Sequence, residues 1–361
     1  MKHRVIGINA LFMIPNCVGG TEYHLRSFLT QLERKDKRNT YIVFCNDENF
    51  GSFHFTNSRW KKVRCPIRAS FRPTRILYEQ FVLPFLVKRQ HCDILHSFGY
   101  FGPIVCSASR IITIHDVNWR DCPEDFGFVE RWVTGVLIEL NLRFSYRIMT
   151  VSEFTKKRLV HYFPNINYKI RVIPSWMSDE FIKESKRVHK QPMKKNKYIL
   201  SVTAMYPHKH VLYLLDLWEI LAQKDTTLKL VIIGRHGKDE KHVLDRIRNL
   251  DRIHYYPKVS LSDLVAFYQH STAYISPSVY EGFGFSVYEA LSAGGPIVVG
   301  KIELYVQKIR KYLVQLTFDK LIDIQVIERL MRNSDKKTKS CILNSSQQSV
   351  RKLILLYEGI I

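Results

Sequence analysis

Two carboxylates, Glu281 and Glu289, bracket seven residues that include Gly282 and Gly284. The apolar run 272–276 leads in and reads as a buried parallel strand, and residues 285–293 read as a helix. A strand, a glycine-bearing turn and a helix start point backbone N–H groups and a positive dipole end at whatever binds there. A carboxylate at the mouth repels a simple anion. The stretch therefore suits a ligand with both phosphate and hydroxyl groups, such as a nucleotide sugar.

Transfer of a sugar from such a donor requires that the growing charge on the leaving diphosphate be neutralised by a metal, by cationic groups or by helix dipoles. No Asp-x-Asp pair occurs in the chain, so a metal-bridged diphosphate has no support. Lys209, in the loop 203–210 between a strand and a helix, can supply the cation instead. Glu281 can accept from sugar hydroxyls, the amides of Phe283, Gly284 and Phe285 can donate to them, and Glu289 can chelate ribose hydroxyls. The plainer alternatives are that Lys209 is one more solvated lysine and Glu289 a surface residue on an apolar helix. Gly19-Gly20-Thr21-Glu22 lies at another strand-to-helix turn, and alone it reads first as an ordinary glycine turn. His115 follows the apolar run 111–114, at a strand's carboxyl end, which is where crevices form in open α/β sheets.

The elements that must position these residues alternate regularly. In the first half, strand-like runs at 4–11, 41–45, 93–96, 111–114, 148–151 and 170–173 alternate with helical patterns such as 21–32 and 153–162, the latter capped by Ser152. A loop at 64–75 interleaves Arg64, Arg68, Arg72 and Arg75 with Phe71. From 183 to 197 lysines crowd around Pro192, and this reads as a basic linker. A second unit repeats the layout: strand 198–202, polar loop, helix 211–222, strands 228–233 and 254–256, and helix 261–270. The fold class is α/β, with two Rossmann-like domains, 1–182 and 198–340, expected to face a central cleft.

The chain has 361 residues, 46% apolar and 12% aromatic, which is enough for two ordered cores. Fifty-five basic against 33 acidic residues give a formal charge of +22, so anionic partners are expected: nucleic acid, a membrane surface or phosphorylated substrates. Seven scattered cysteines without a C-x-x-C pair suit a reducing cytosol, with buried thiols. Residues 1–14 are basic then apolar, but Asn9 breaks the run, and a first strand is the better reading than a signal peptide. No apolar run approaches a membrane span.

Taken together, these motifs resemble the retaining GT-B glycosyltransferases of family 4, group 1, whose hallmark is an E-x7-E motif. Here it stands as Glu281-Gly282-Phe283-Gly284-Phe285-Ser286-Val287-Tyr288-Glu289-Ala290. Four further parts match in order: Gly19-Gly20-Thr21-Glu22, the paired Asp93-Ile94-Leu95-His96 and Thr113-Ile114-His115-Asp116, Thr150-Val151-Ser152-Glu153, and Tyr206-Pro207-His208-Lys209-His210. The resemblance implies a metal-free transfer, without cofactor, of a mannose- or glucose-like hexose from a nucleotide diphosphate sugar to a hydroxyl of a glycan or lipid-linked saccharide, with retention. It implies that Lys209 and the Gly19-Gly20 turn meet the diphosphate, that Glu281 and the 283–285 amides meet the sugar, and that Glu289 meets the ribose. It places His115 beside the sugar and the Val259 backbone near the base. No enzymic nucleophile is implied, since the acceptor attacks from the face that the leaving group departs. Arg68, Arg72 and Arg75 are the candidate contact with an acceptor or an anionic membrane, and the expected location is cytoplasmic, peripheral at the inner face.

Three departures stand out. Ala204 and Ser175 replace the family's usual arginine and asparagine, and the pattern thins after Gly300. A shortened final strand is expected within 312–318 and a terminal helix within 341–361, crossing back to the first domain. Two other readings remain: a degenerate protein that binds donor without turnover, and a basic nucleic-acid-binding protein. Against the second, the chain has no helix-turn-helix, zinc or aromatic RNA-binding motif.

Overall fold

The computed structural model describes residues 3–188, 197–304, 307–332 and 346–359. The chain divides into two compact units: residues 1–117, 128–176 and 344–361 form one, and residues 118–127 and 177–343 the other.

The first unit is built on seven strands: β1 (Val5–Asn9), β2 (Thr40–Cys45), β3 (Trp60–Arg64), β4 (Ile94–Ser97), β5 (Ser109–Ile114), β6 (Arg147–Thr150) and β7 (Ile170–Val172). Their order is β3-β2-β1-β4-β5-β6-β7 and every pairing is parallel. The second unit has β8 (Tyr198–Ala204), β9 (Lys229–Arg235), β10 (Ile253–Tyr256), β11 (Ala273–Ser276), β12 (Ile297–Val299) and β13 (Leu313–Gln315), all parallel, in the order β10-β9-β8-β11-β12-β13. Counted from its own first strand, each sheet has the same order. Each reverses direction beside that strand, between β1 and β4 and between β8 and β11. Ligands of open α/β sheets bind outside the carboxyl ends of the strands at this reversal. Strands covered on both faces need continuous apolar runs, and the central ones have them: β11 is buried throughout, as is β1 from Ile6 onward.

The helix Ser346–Tyr357 belongs to the first unit, where Val350, Leu353, Leu356 and Tyr357 join the core that holds Leu25, Phe28 and Leu29 of the helix Gly20–Lys35. Tyr357 and His96 Nδ1 share a hydrogen bond of 2.7 Å. Each leucine so buried contributes about 1.5–3 kcal/mol.

Several local readings of the sequence need correction. The helix Asp179–Val188 stands where the basic linker was expected to begin. Phe181 and Val188 bury its apolar stripe, and it packs on the helix Leu261–His270, so its lysines are an outer helical face. Lys197 pairs with Asp225 at 2.5 Å, and Lys190, Pro192, Lys194 and Lys195 lie outside the described residues. The arginine loop ends at Phe71, because the helix Arg72–Phe81 begins there. β3 was not anticipated: it is an edge strand whose lysines leave only Trp60 buried. Among the described cysteines, burial pushes the thiols of Cys45 and Cys92 up to about 12 and that of Cys65 to about 11, but Cys17 is exposed. Cys341 lies outside the described residues. β13 falls inside the stretch expected to hold a shortened final strand.

Candidate functional site

In the second unit, the turn Pro207–Lys209 follows β8, and the Glu281 turn follows β11, the neighbouring strand across the reversal. The two turns are stitched together. The amide of Val279 donates to the His208 carbonyl at 2.9 Å, and the Ser278 hydroxyl lies 3.4 Å from the same carbonyl and 2.8 Å from that of Tyr280. This brings Lys209 Nζ to 2.7 Å from Glu281 Oε1, with side chains only 17% and 14% exposed. His210, directly after the lysine, holds a left-handed φ of 48°, a conformation that costs a non-glycine residue about 1 kcal/mol or more. His208 is buried with its Nδ1 against the carboxylate of Asp125, which reaches it from the 118–127 segment. Lys238 Nζ holds that segment by the carbonyls of Glu124 at 2.7 Å and Phe126 at 3.0 Å. These contacts explain why residues 118–127 belong to the second unit, although the sequence reading put them in the first domain.

Gly284 turns the chain into the helix Phe285–Ala293 with φ 80° and ψ 48°, the left-handed region that favours glycine. The helix N-terminus therefore opens directly beside Glu281. Phe283 is buried, its ring stacked 4.7 Å from that of Tyr288, so the side chain is a packing group and only its amide is a candidate for ligand contact. Glu289 lies on the following turn, buried, with the Tyr268 hydroxyl donating to its Oε2 at 2.8 Å. Burial pushes the Glu289 carboxyl up to about 7, against the lowering effect of the Tyr268 hydrogen bond. Burial first, then the charges of Glu281 and Glu289, raise the Tyr274 hydroxyl on β11, so this one phenol senses both carboxylates. Val259 lies in the turn after β10, two strands from β8.

In the first unit, Gly19 holds φ 73° and ψ −133° immediately before the helix Gly20–Lys35, a backbone state closed to residues with a Cβ. His115 sits at the carboxyl end of β5, buried, its Nε2 bonded to the Phe98 carbonyl at 2.7 Å. A carbonyl only accepts, so Nε2 carries the proton. Burial pushes the imidazole down to about 4, so it is neutral at pH 7 and Nδ1 is left as an acceptor. The Thr155 hydroxyl, from the helix capped by Ser152, fixes the His115 carbonyl at 3.0 Å. His24 meets the His115 ring edge-on with centroids 4.9 Å apart, and its Nδ1 is 2.6 Å from Ser175 Oγ. Burial, then the neighbouring histidines, hold His24 well below the usual range. His96 completes the group, between Tyr357 and Thr113, and burial pushes it down to about 3.

Residues 18–181 match the family described as Glycosyltransferase Family 4, and residues 182–342 match Glycosyl transferases group 1. The chain belongs to the family 4, group 1 glycosyltransferases. This glycosyltransferase is 23% identical over 200 residues to the O-antigen chain mannosyltransferase RfbU of Salmonella typhimurium, a match that spans 55% of this chain and only about half, 53%, of that protein. It is 23% identical over 323 residues to a Campylobacter jejuni N,N'-diacetylbacillosaminyl-diphospho-undecaprenol alpha-1,3-N-acetylgalactosaminyltransferase, covering 81% of this chain and 80% of that one. Among solved structures, Anabaena HepE in complex with UDP and glucose superposes with a TM-score of 0.67 at 14% identity, over 99% of this chain and 100% of that chain. The likeness shows the α/β GT-B fold.

The glycosyltransferase corrects the arginine reading. Arg68 is exposed in the loop, but Arg72 pairs with Glu130 and lies 3.2 Å from Thr134 Oγ1. Arg75 is buried, 4.0 Å from Glu79 and over the Phe101 ring, because it lies one helical turn from Glu79 on the inward face. It is a buried cation of the helix and not an exposed residue of a loop. Tyr268, Asp125 and His24 were missed, because each meets its partner across a sequence gap that no local pattern spans. Cys122, Asp125 and His208 place three potential ligand atoms within 4.8 Å of one another.

Proposed function

We propose that this glycosyltransferase moves a hexose from a nucleotide diphosphate sugar to a hydroxyl of a saccharide or lipid-linked acceptor, with retention and without metal. One observation carries the reading: Lys209 and Glu281, a cation and an acceptor from two separate turns, converge 2.7 Å apart at the strand-order reversal of the second sheet. Lys209 stabilises the departing diphosphate, and Glu281 takes hydrogen bonds from the sugar hydroxyls. The helix start at residues 283–285 supplies amide donors, Glu289 takes the ribose hydroxyls, and the Val259 backbone takes the base. In the first unit, the Gly19-Gly20 turn serves the diphosphate. Neutral His115 offers Nδ1 to a sugar hydroxyl. The acceptor oxygen bonds to the anomeric carbon as the carbon–phosphate-oxygen bond breaks, and its proton passes to the leaving phosphate oxygen on the same face. A mannose- or glucose-type donor is favoured by the name of RfbU and by the ligands of HepE, and a polyprenol-diphosphate acceptor by the name of the Campylobacter relative.

A thermal-shift screen with UDP-, GDP- and ADP-sugars identifies the donor, since a ligand that binds only the folded state raises its stability. With that donor, Lys209→Ala and Glu281→Gln each lower turnover by about 10²–10³-fold while circular dichroism stays unchanged. Turnover persists in chelator, and NMR of the product shows the donor's anomeric configuration. Turnover of both variants within a few-fold of wild type sinks the site assignment.

A further inference from the structure

The first unit carries two apolar stripes that nothing in its core uses. On the helices Arg72–Phe81 and Leu83–Arg89, the residues Leu77, Phe81 and Phe85 recur every fourth position, and on the helix Phe128–Phe144 so do Phe128, Trp132 and Val136. That spacing makes one face of a helix. In a core helix such a face is covered, yet all six side chains are exposed here: Phe81 by 75%, Phe128 by 86% and Trp132 by 65%. The opposite faces already fill the interior, through Leu83 and Val87 on one side and Ile138 and Leu142 on the other.

The stripes are held as one surface. Arg72 bridges to Glu130 and to Thr134 Oγ1 at 3.2 Å. Gln80 Nε2 donates to the Gly102 carbonyl at 3.0 Å, while the Gly102 amide donates to Asn141 Oδ1 at 3.2 Å, so both helices grip the same loop residue. The charge around the surface is mainly basic: Glu130, an exposed acid on it, is paired with Arg72, and Arg64 is paired with Asp47. Residues 64–89 contain six basic residues and a single acid, Glu79, which is buried. Arg68, Lys88 and Arg89 are exposed at its edges.

We infer that this face docks on an anionic lipid bilayer. Phenylalanine and tryptophan on one side of a helix bury at the boundary of headgroups and acyl chains, and flanking lysines and arginines meet lipid phosphates. A protein partner would have to offer an apolar surface rimmed with acid, whereas a bilayer of acidic lipid supplies both features everywhere. The inference extends the reading of a lipid-linked acceptor, but it is measured without turnover, so the two can fail separately.

Trp132 makes the test specific, because the other four tryptophans are buried. With vesicles of phosphatidylglycerol and phosphatidylcholine, the full chain co-sediments, Trp132 emission shifts to the blue, and lipids brominated in the acyl chain quench it. Trp132→Phe removes the spectral change and retains co-sedimentation. The triple variant Phe81→Ser, Phe85→Ser, Trp132→Ser lowers vesicle partition by about tenfold or more. Should the triple variant misfold by circular dichroism, Phe85→Ser alone, read through Trp132 quenching, serves in its place. Three results overturn the inference. One is no co-sedimentation of the wild type. Another is wild-type partition by the serine variants. The third is a substitution that changes the oligomeric state without lipid while leaving vesicle binding intact, which marks the face as a contact between proteins.

Discussion

Replacing Glu289 by glutamine stabilises the protein, and does so only on the alkaline side. The carboxyl is buried under Tyr268 and titrates near 7 in the fold, against 4.5 for the free group. The folded state therefore holds this proton more tightly than the unfolded chain does. Below pH 4.5 both states are protonated and the fold loses nothing; as the pH rises towards 7, the unfolded chain ionises first and stability falls. At about 1.4 kcal/mol per pH unit, the full loss above pH 7 is about 3 kcal/mol, and about 2.5 kcal/mol of it accrues between pH 5 and pH 8. Glutamine keeps an acceptor for the Tyr268 hydroxyl and has no charge to desolvate, so Glu289→Gln unfolds at higher denaturant at pH 8 and close to wild type at pH 5. The assay is urea unfolding of both proteins at a series of pH values, followed through the second unit. Parallel stability curves at all pH values would refute the reasoning, since they would show that Glu289 ionises in the fold as it does in the unfolded chain.

Two further predictions follow from the first unit. His115 and His96 titrate near 4 and near 3 in the fold and at 6.5 when free, so this unit is fully stable above pH 6.5 and loses stability as the pH falls towards 4. His115→Gln removes up to about 3 kcal/mol of that acid sensitivity in pH-dependent unfolding, and an unchanged acid limb would count against the buried neutral imidazole. Gly19→Val forces a β-branched residue into φ 73°, costing about 1–3 kcal/mol in denaturant unfolding, and wild-type stability in that variant would exclude the turn as described.

What could be read from the sequence depended on how far apart the interacting residues lie along the chain. The Glu281–Glu289 motif was legible because a strand, a glycine turn and a helix follow one another within a few residues, each leaving a local signature. The alternation of strands and helices gave the two sheets for the same reason. The meeting of Lys209 with Glu281 depends on β8 and β11 lying side by side, which periodicity cannot show, so there the family resemblance supplied what the pattern could not. Asp125 lies 83 residues from His208, and nothing near either one announces the pair. Arg75 misled for another reason: reading the arginines as a loop ignored the four-residue step to Glu79, which on a helix puts both on the inward face. The helix Asp179–Val188 misled similarly, because its basic outer face outweighed the two apolar residues that seat it.

The helix Ser346–Tyr357 sets a schedule for the protein's synthesis. It supplies Val350, Leu353, Leu356 and Tyr357 to a core whose other members lie before residue 177. As the chain leaves the ribosome, the first unit therefore emerges with a gap in its core. The second unit, made from residues 118–127 and 177–343, can close entirely while that gap stands open. The unit that starts first finishes last, and until it does, the apolar groove along the helix Gly20–Lys35 is a surface that chaperones can bind and a weak point for any chain that stalls.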